Sequence, residues 1–117
     1  MDLNNWQTQL RKGLLDIVIL NFLRHGEFHG YQMVQKLKQI PGLKIREGNI
    51  YPILARLEAD SLVTSYTETS PDGPPRKFFK LTSLGKEILA DMNKHWDKMI
   101  ENIQVIRQGK FTNEIQS

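Results

Sequence analysis

Met92, Trp96, Met99, Ile103 and Ile106 recur at spacings of four, three, four and three, the a/d period of a coiled-coil seam. Leu84, Ile88 and Leu89 continue the stripe toward the N-terminus. A chain of 117 residues has room for one small domain plus an appended helix. Nothing in so small a domain covers a seam of this length. The pattern therefore predicts that the last helix packs on a second copy of the chain and on the N-terminal helix; folding back within a monomer is the alternative. The N-terminal helix carries a matching stripe, Leu3, Trp6, Leu10, Leu14, Ile17 and Asn21, with Asn4 or Asn5 as N-cap. Leu15, Val18, Ile19, Leu20, Phe22 and Leu23 make its second half apolar nearly all round, so it packs on more than one side. Gly26 supplies the stop.

Between these two helices the punctuation is dense. His29-Gly30-Tyr31 opens a second helix whose inward residues are Tyr31, Val34 and Leu37, with Met33; Lys36 lies on its outer side, facing water or a ligand and counted among the candidate DNA contacts, and Pro41-Gly42 ends it. Leu43-Lys44-Ile45-Arg46 alternates apolar and basic, the pattern of a very short strand. Asn49 is the candidate N-cap of a third helix with Pro52 in its first turn, buried through Ile50, Leu54 and Leu57. Leu62 to Glu68 reads as a strand, Ser70-Pro71-Asp72-Gly73-Pro74-Pro75 as a turn, and Arg76 to Leu81 as the returning strand. Thr82 or Ser83 then caps a helix running to about Gln108, closed by Gly109. The order describes a mainly α (α+β) fold: a winged helix–turn–helix with a two-stranded wing and a long C-terminal dimerisation helix. The expected division is a winged DNA-binding domain over 1–82, the dimerisation helix over 83–108 and a tail over 109–117. Any other small α+β domain with a hairpin fits the same order.

Composition removes several classes of function. There is no cysteine, which excludes disulfides, thiolate zinc sites and a cysteine nucleophile. No apolar run approaches the ~20 residues of a membrane span, and the first residues lack a secretion signal's layout, so a cytosolic protein is expected. His25, His29, His95 and scattered carboxylates form no nucleophile–base spacing, and no glycine loop cradles a phosphate. His25 and His29 straddle Gly26 and are poorly placed as joint metal ligands. Neither an enzyme nor a metal or other cofactor is expected.

The net charge of +3 is informative through its placement. Residues 1–30 and 81–117 each balance, whereas 31–80 holds eight basic against five acidic side chains, so the whole excess lies in the central segment. Duplex DNA is the partner such a segment suits, a plain solvated surface being the alternative. The third helix is the one that would enter a major groove, and it opens with Arg46, Asn49 and Tyr51. Arg46 and Asn49 are of the types that pair bidentately with guanine and adenine; Asn49 as a plain cap and Tyr51 as a core aromatic are the competing readings. Arg56 reaches a phosphate or pairs with Glu58 or Asp60. Arg76 and Lys77 follow the stiffened turn as adjacent cations, Arg76 suited to a minor groove and Lys77 to a phosphate, or Lys77 serves only as a solubilising edge charge. Of Phe78 and Phe79 one faces the core. A winged-helix protein-interaction module without DNA binding is the rival class.

Gly48-Asn49-Ile50-Tyr51-Pro52-Ile53-Leu54-Ala55-Arg56-Leu57-Glu58 and Arg76-Lys77-Phe78-Phe79-Lys80-Leu81-Thr82-Ser83-Leu84-Gly85 resemble the two signature stretches of PadR-type transcriptional regulators, and His29-Gly30-Tyr31 is similar to the start of that family's second helix. With one C-terminal helix, the chain resembles the small subfamily that includes multidrug- and phenolic-acid-responsive repressors. The resemblance implies a homodimer on a palindromic operator, released when a ligand binds. It further implies a flat aromatic molecule held at the dimer centre by Trp96, lined by Met92, Met99 and Ile103, with Leu10, Gly13, Ile17 and Asn21 as opposite walls; a closed dimer core without ligand remains the alternative. The chain departs from the family pattern in having Ser61 where a glycine usually ends the recognition helix, Phe78 and Phe79 for the usual tyrosines, and Asp72 at the wing tip.

Overall fold

The computed structural model describes residues 1–110; the last seven positions of the expected tail lie outside the described residues. Four helices and a small antiparallel sheet follow one another as α1 (Leu3–Leu23), β1 (Phe28–His29), α2 (Gly30–Leu37), a 3-10 turn at Pro41–Leu43, α3 (Glu47–Ala59), β2 (Val63–Ser70), β3 (Gly73–Leu81) and α4 (Ser83–Arg107). The sheet order is β1-β3-β2. The wing is the β2–β3 hairpin, paired from Val63↔Leu81 to Ser70↔Gly73 with an irregularity between Glu68 and Ser70. Strand β1 adds two residues to the other side of β3, Phe28 opposite Phe79 and His29 opposite Phe78.

The core is built where the apolar periods meet. Ile19, Leu20 and Leu23 of α1, Met33, Val34 and Leu37 of α2, and Ile50, Leu54 and Leu57 of α3 are buried together against Val63, Phe79 and Leu81 of the sheet and Leu89 of α4. Phe79 is thus the inward phenylalanine of the pair, as strand alternation requires of one of them. Helix α4 starts on a Thr82 cap accepting from the Gly85 N–H at 2.9 Å. Gly85 sits so close to the Leu62 carbonyl that a side-chain carbon there would collide with backbone. This is what allows α4 to leave the sheet directly.

Several local expectations are corrected. Asp2, not Asn4 or Asn5, caps α1, accepting from the Asn4 N–H at 3.0 Å. Residues 43–46 form no strand: Leu43 ends the 3-10 turn, Lys44 is left-handed (φ 49) and only Ile45 is buried. Helix α3 begins three residues earlier than an Asn49 cap allows, with Arg46 as N-cap and no side-chain cap bond; Pro52 therefore lies in the second turn. Tyr31 is 56% exposed, because α2 starts at Gly30 and turns position 31 outward. The turn is also tighter than expected, Pro71 and Asp72 alone separating β2 from β3.

Helix α3 ends without its glycine. Ser61 takes the left-handed conformation itself (φ 64), the Leu62 N–H bonds the Leu57 carbonyl and the Ser61 N–H bonds the Glu58 carbonyl, both at 3.0 Å. This is the six-to-one and five-to-two pairing of a Schellman ending, completed here by a β-carbon-bearing residue at some cost in backbone strain.

Candidate nucleic-acid interface and the groove beside it

Helix α3 presents its buried face through Ile50, Leu54 and Leu57 and leaves Arg46, Asn49 and Tyr51 exposed. The Asn49 side-chain amide donates to the Lys44 carbonyl at 3.3 Å, bracing the left-handed turn before the helix, and among the described residues its carbonyl oxygen accepts no bond. The Tyr51 ring lies across Gly30, where any side chain would strike it, so the first residue of α2 and the recognition helix are fitted to each other. Burial, and then the carboxylate of Glu47, raise the Tyr51 phenol above its ordinary value. Arg56 does not reach outward: both its terminal nitrogens grip the Asp16 carboxylate on α1, one at 3.1 Å, rather than Glu58 or Asp60. It ties α3 to α1. Lys36 stands exposed in the last turn of α2 without an ion pair among the described residues.

The wing separates its two cations. Arg76 and Lys77, adjacent in sequence, point to opposite faces of β3, as the pleat dictates. Lys77 Nζ lies 3.6 Å from Glu58 Oε1 and 5.6 Å from the Phe79 ring centroid. Arg76 turns the other way, its Nη1 3.3 Å from His29 Nε2. His29 is 6% exposed and is the N-cap of α2: its Nδ1 accepts from the Gln32 N–H at 3.2 Å, and Gln32 Oε1 accepts from the His29 N–H at 3.0 Å. With Nδ1 accepting, the neutral ring carries its proton on Nε2, so Arg76 and His29 approach as two donors. Burial first, and Arg76 second, hold the imidazole below its usual pKa and keep it neutral. Tyr31, Tyr51, His29 and Arg76 together line a hollow of about 240 Å³ at the start of α2, an arrangement of donors suited to an anion.

On the far side of α1 the chemistry reverses. Trp6, Leu10, Gly13, Leu14 and Ile17 of α1 face Ile88, Met92, Trp96, Met99, Ile100 and Ile103 of α4 across an open groove of about 920 Å³. Of the eight residues placed by resemblance around an effector, seven line it. Asn21 does not: it forms a reciprocal amide pair with Asn93 of α4, 2.9 Å in each direction, and also donates to the Ile17 carbonyl. It lines instead a second hollow of about 460 Å³ with His25, Ile40, Leu43 and the other side of Trp96. Among the described residues, little lies beside the distal part of α4. Trp96, Met99, Ile100, Ile103 and Ile106 are 39–62% exposed.

The sequence profile described as the transcriptional regulator PadR-like family matches residues 19–91, which span α2, α3, the wing and the first third of α4. The chain belongs to the PadR-like family of transcriptional regulators. It is similar to the solved PadR-like transcription factor of Bacteroides fragilis, 35% identical with a TM-score of 0.75 over 87% of this chain and 98% of that one. A PadR-like transcriptional regulator of Bacillus cereus is 30% identical, with a TM-score of 0.75 over 86% of this chain and 97% of that one. Among curated relatives, the transcriptional regulator Rv3488 of Mycobacterium tuberculosis is 26% identical over 95 residues, covering 81% of this chain and 87% of its own.

As a DNA-binding regulator of the PadR type, the chain works by binding rather than by chemistry on a substrate. Among its described residues no helix is long and apolar enough to cross a membrane. Sequence reasoning missed the elements that hold the wing: Tyr66 donates to Glu27 Oε2 at 2.7 Å, which pushes its phenol up to about 12. Tyr66 also stacks on Phe78, at 5.4 Å between centroids. Glu27 takes in Lys80 at 3.9 Å as well. The one signal available was the His29–Gln32 spacing of a capping box, obscured because histidine is a rare cap.

Proposed function

We propose that this PadR-type regulator is a homodimeric repressor acting in the cytoplasm, which grips a palindromic operator with α3 and the wing and releases it when a flat aromatic ligand enters the α1–α4 groove. The observation that carries this reading is the groove itself. Tryptophans, methionines and isoleucines of both terminal helices stand open along it, and among the described residues the outer half of α4 has little else to pack on. Apolar exposure on this scale marks an interface or a ligand site. A two-fold mate would cover the outer half of α4 and place two recognition helices about one DNA turn, ~34 Å, apart. Two modest basic faces then bind through effective concentration.

Within that reading Arg46 and Asn49 read base edges, while Tyr51 and Arg76 hold a backbone phosphate beside the start of α2. Lys36 and Lys77 add long-range attraction, and Arg56 acts indirectly, by fixing α3 on α1. Trp96, Met92 and Met99 offer soft, polarisable walls to a ring system. The ligand acts to the extent that it favours a separation of recognition helices that DNA disfavours.

Light scattering on the purified chain tests the core of the reading: a mass of twice 13.6 kDa is expected at micromolar concentration, and a monomer overturns it. Titrating a planar aromatic dye against tryptophan fluorescence tests the ligand arm. Quenching is expected in the natural chain and lost in Trp96→Ala with operator binding retained; quenching that survives the substitution places the ligand elsewhere.

A further inference from the structure

Four cations that no sequence pattern grouped together converge on the side of α3 away from the wing. Arg11 and Lys12 of α1, Lys44 in the left-handed turn and Arg46 at the N-cap of α3 line one hollow of about 250 Å³, with Thr8 and Asn49 completing its wall. Among the described residues none of the four is ion-paired, whereas Arg56, Lys77, Lys80 and Lys98 each have a carboxylate partner. Arg11 makes one bond, from Nη2 to the Thr8 hydroxyl at 3.3 Å. On a chain with a net charge of only +3, crowding four unpaired cations raises the energy of the folded state by mutual repulsion. That arrangement is stable in company with a polyanion.

The backbone is shaped for the same partner. The N-terminus of α3 has no side-chain cap, so the Glu47 and Gly48 N–H groups remain as open donors. A side-chain carbon added at Gly48 would meet nothing within 4 Å, which leaves that backbone accessible to a phosphate. Lys44 adopts φ 49, a conformation costly for lysine and braced by the Asn49 amide. The brace keeps its side chain on the hollow's rim.

We infer that this hollow is a second duplex-backbone site, in which Arg11, Lys12 and Lys44, beside the base-reading Arg46, hold phosphates on the opposite flank of the recognition helix from Arg76. The inference rests on the DNA-binding reading and extends the interface to α1, which neither signature stretch of the sequence includes. The consequence is mechanical. One edge of α1 carries Arg11 and Lys12 into this site, while another carries Trp6, Leu10 and Gly13 into the apolar groove. A shift of α1 caused by anything bound in the groove therefore displaces phosphate contacts directly, without passing through the winged core.

Fluorescence anisotropy on a ~30-base-pair duplex of mixed sequence, read at several salt concentrations, tests it. The variant is Arg11→Gln/Lys12→Gln/Lys44→Asn: glutamine keeps helix propensity and asparagine tolerates the left-handed turn. Circular dichroism checks that it is folded, and Arg76→Gln serves as the reference for the other flank. The triple variant is expected to lose roughly 10- to 100-fold in affinity at ~0.1 M salt and to flatten the salt slope by about two to three; Arg76→Gln should flatten it by about one. A triple variant with unchanged affinity and slope, beside a weakened Arg76→Gln, overturns this site and leaves the DNA reading standing. A natural chain that binds no duplex overturns both. Inorganic phosphate, titrated at constant ionic strength, should displace the duplex only weakly; full displacement by sub-millimolar phosphate (about the affinity of a dedicated small-anion pocket) reassigns the hollow to a free anion.

Discussion

The winged domain and the α1–α4 groove share the two terminal helices, yet one is finished and the other is open. Inside the winged domain the polar groups are matched. His29 and Gln32 satisfy each other's backbone, Arg56 is locked on Asp16, and the Asn21–Asn93 amides pair. Across the groove the side chains are apolar and exposed, and among the described residues little covers the outer half of α4. The contrast teaches where each kind of recognition would sit: polar and charged groups on a rigid body suit the nucleic acid, and an adaptable apolar surface suits the mate and ligand of the proposed reading.

The comparison can be broken most forcefully from the finished side. Gly85→Ala drives a methyl group into the Leu62 carbonyl, and backbone cannot move aside as a side-chain tip can. A loss of about 3 kcal/mol or more is expected, seen as a lower midpoint in urea unfolding. A tolerated substitution would mean that α4 is less tightly fixed to the sheet than described.

On the open side a charge should do the opposite. Ile103→Glu, 47% exposed in the single chain, should leave the winged core folded but weaken self-association by more than about 100-fold, roughly 3 kcal/mol, by burying an unpaired carboxylate in the seam. Sedimentation separates the two readouts. If unfolding and dissociation change together, the two regions are not independent.

Smaller effects sharpen the picture of the winged domain. Ser61→Gly relieves a left-handed residue at the end of α3 (φ 64) and should stabilise by about 0.5–1 kcal/mol. The bond from the Thr82 hydroxyl to the Ser61 carbonyl, 2.6 Å, involves backbone and survives the change. The smallest effect is a pH dependence. Because the folded-state pKa of His29 lies below the ordinary 6.5, the unfolded chain binds the extra proton first. The contribution to stability is complete above that value and is lost as pH falls through it toward the folded value. His29→Asn keeps a cap and should remove this slope as pH falls below about 6.5; an unchanged slope would assign it to another group.

Much of this was legible in the chain because it is written in local periods. The three- and four-residue spacing of Trp6, Leu10 and Ile17 and the seam from Met92 to Ile106 depend only on helical geometry, and the helices stand where those spacings require. The wing strands and the helix stop near Gly109 follow from turn residues and β-branched runs in the same way. The misplaced features depend on partners far along the chain. Asn49 looks like a cap, but the 3-10 turn and the left-handed Lys44 start the helix earlier. Arg56 looks free or locally paired, but Asp16, forty positions away, claims it. Tyr31 looks apolar and inward until α2 is fixed by the His29–Gln32 box.

What the sequence determined by itself was therefore the set of elements, their apolar faces and the family they belong to, since these rest on short-range sterics and burial. Only the tertiary structure decided which cations are neutralised and which are left together. Arg76 and Lys77 are adjacent in the chain and point to opposite faces, while Arg11, Lys12, Lys44 and Arg46 come from separate segments and meet. Electrostatic energy depends on distance through space, and a sequence states distance only along the backbone.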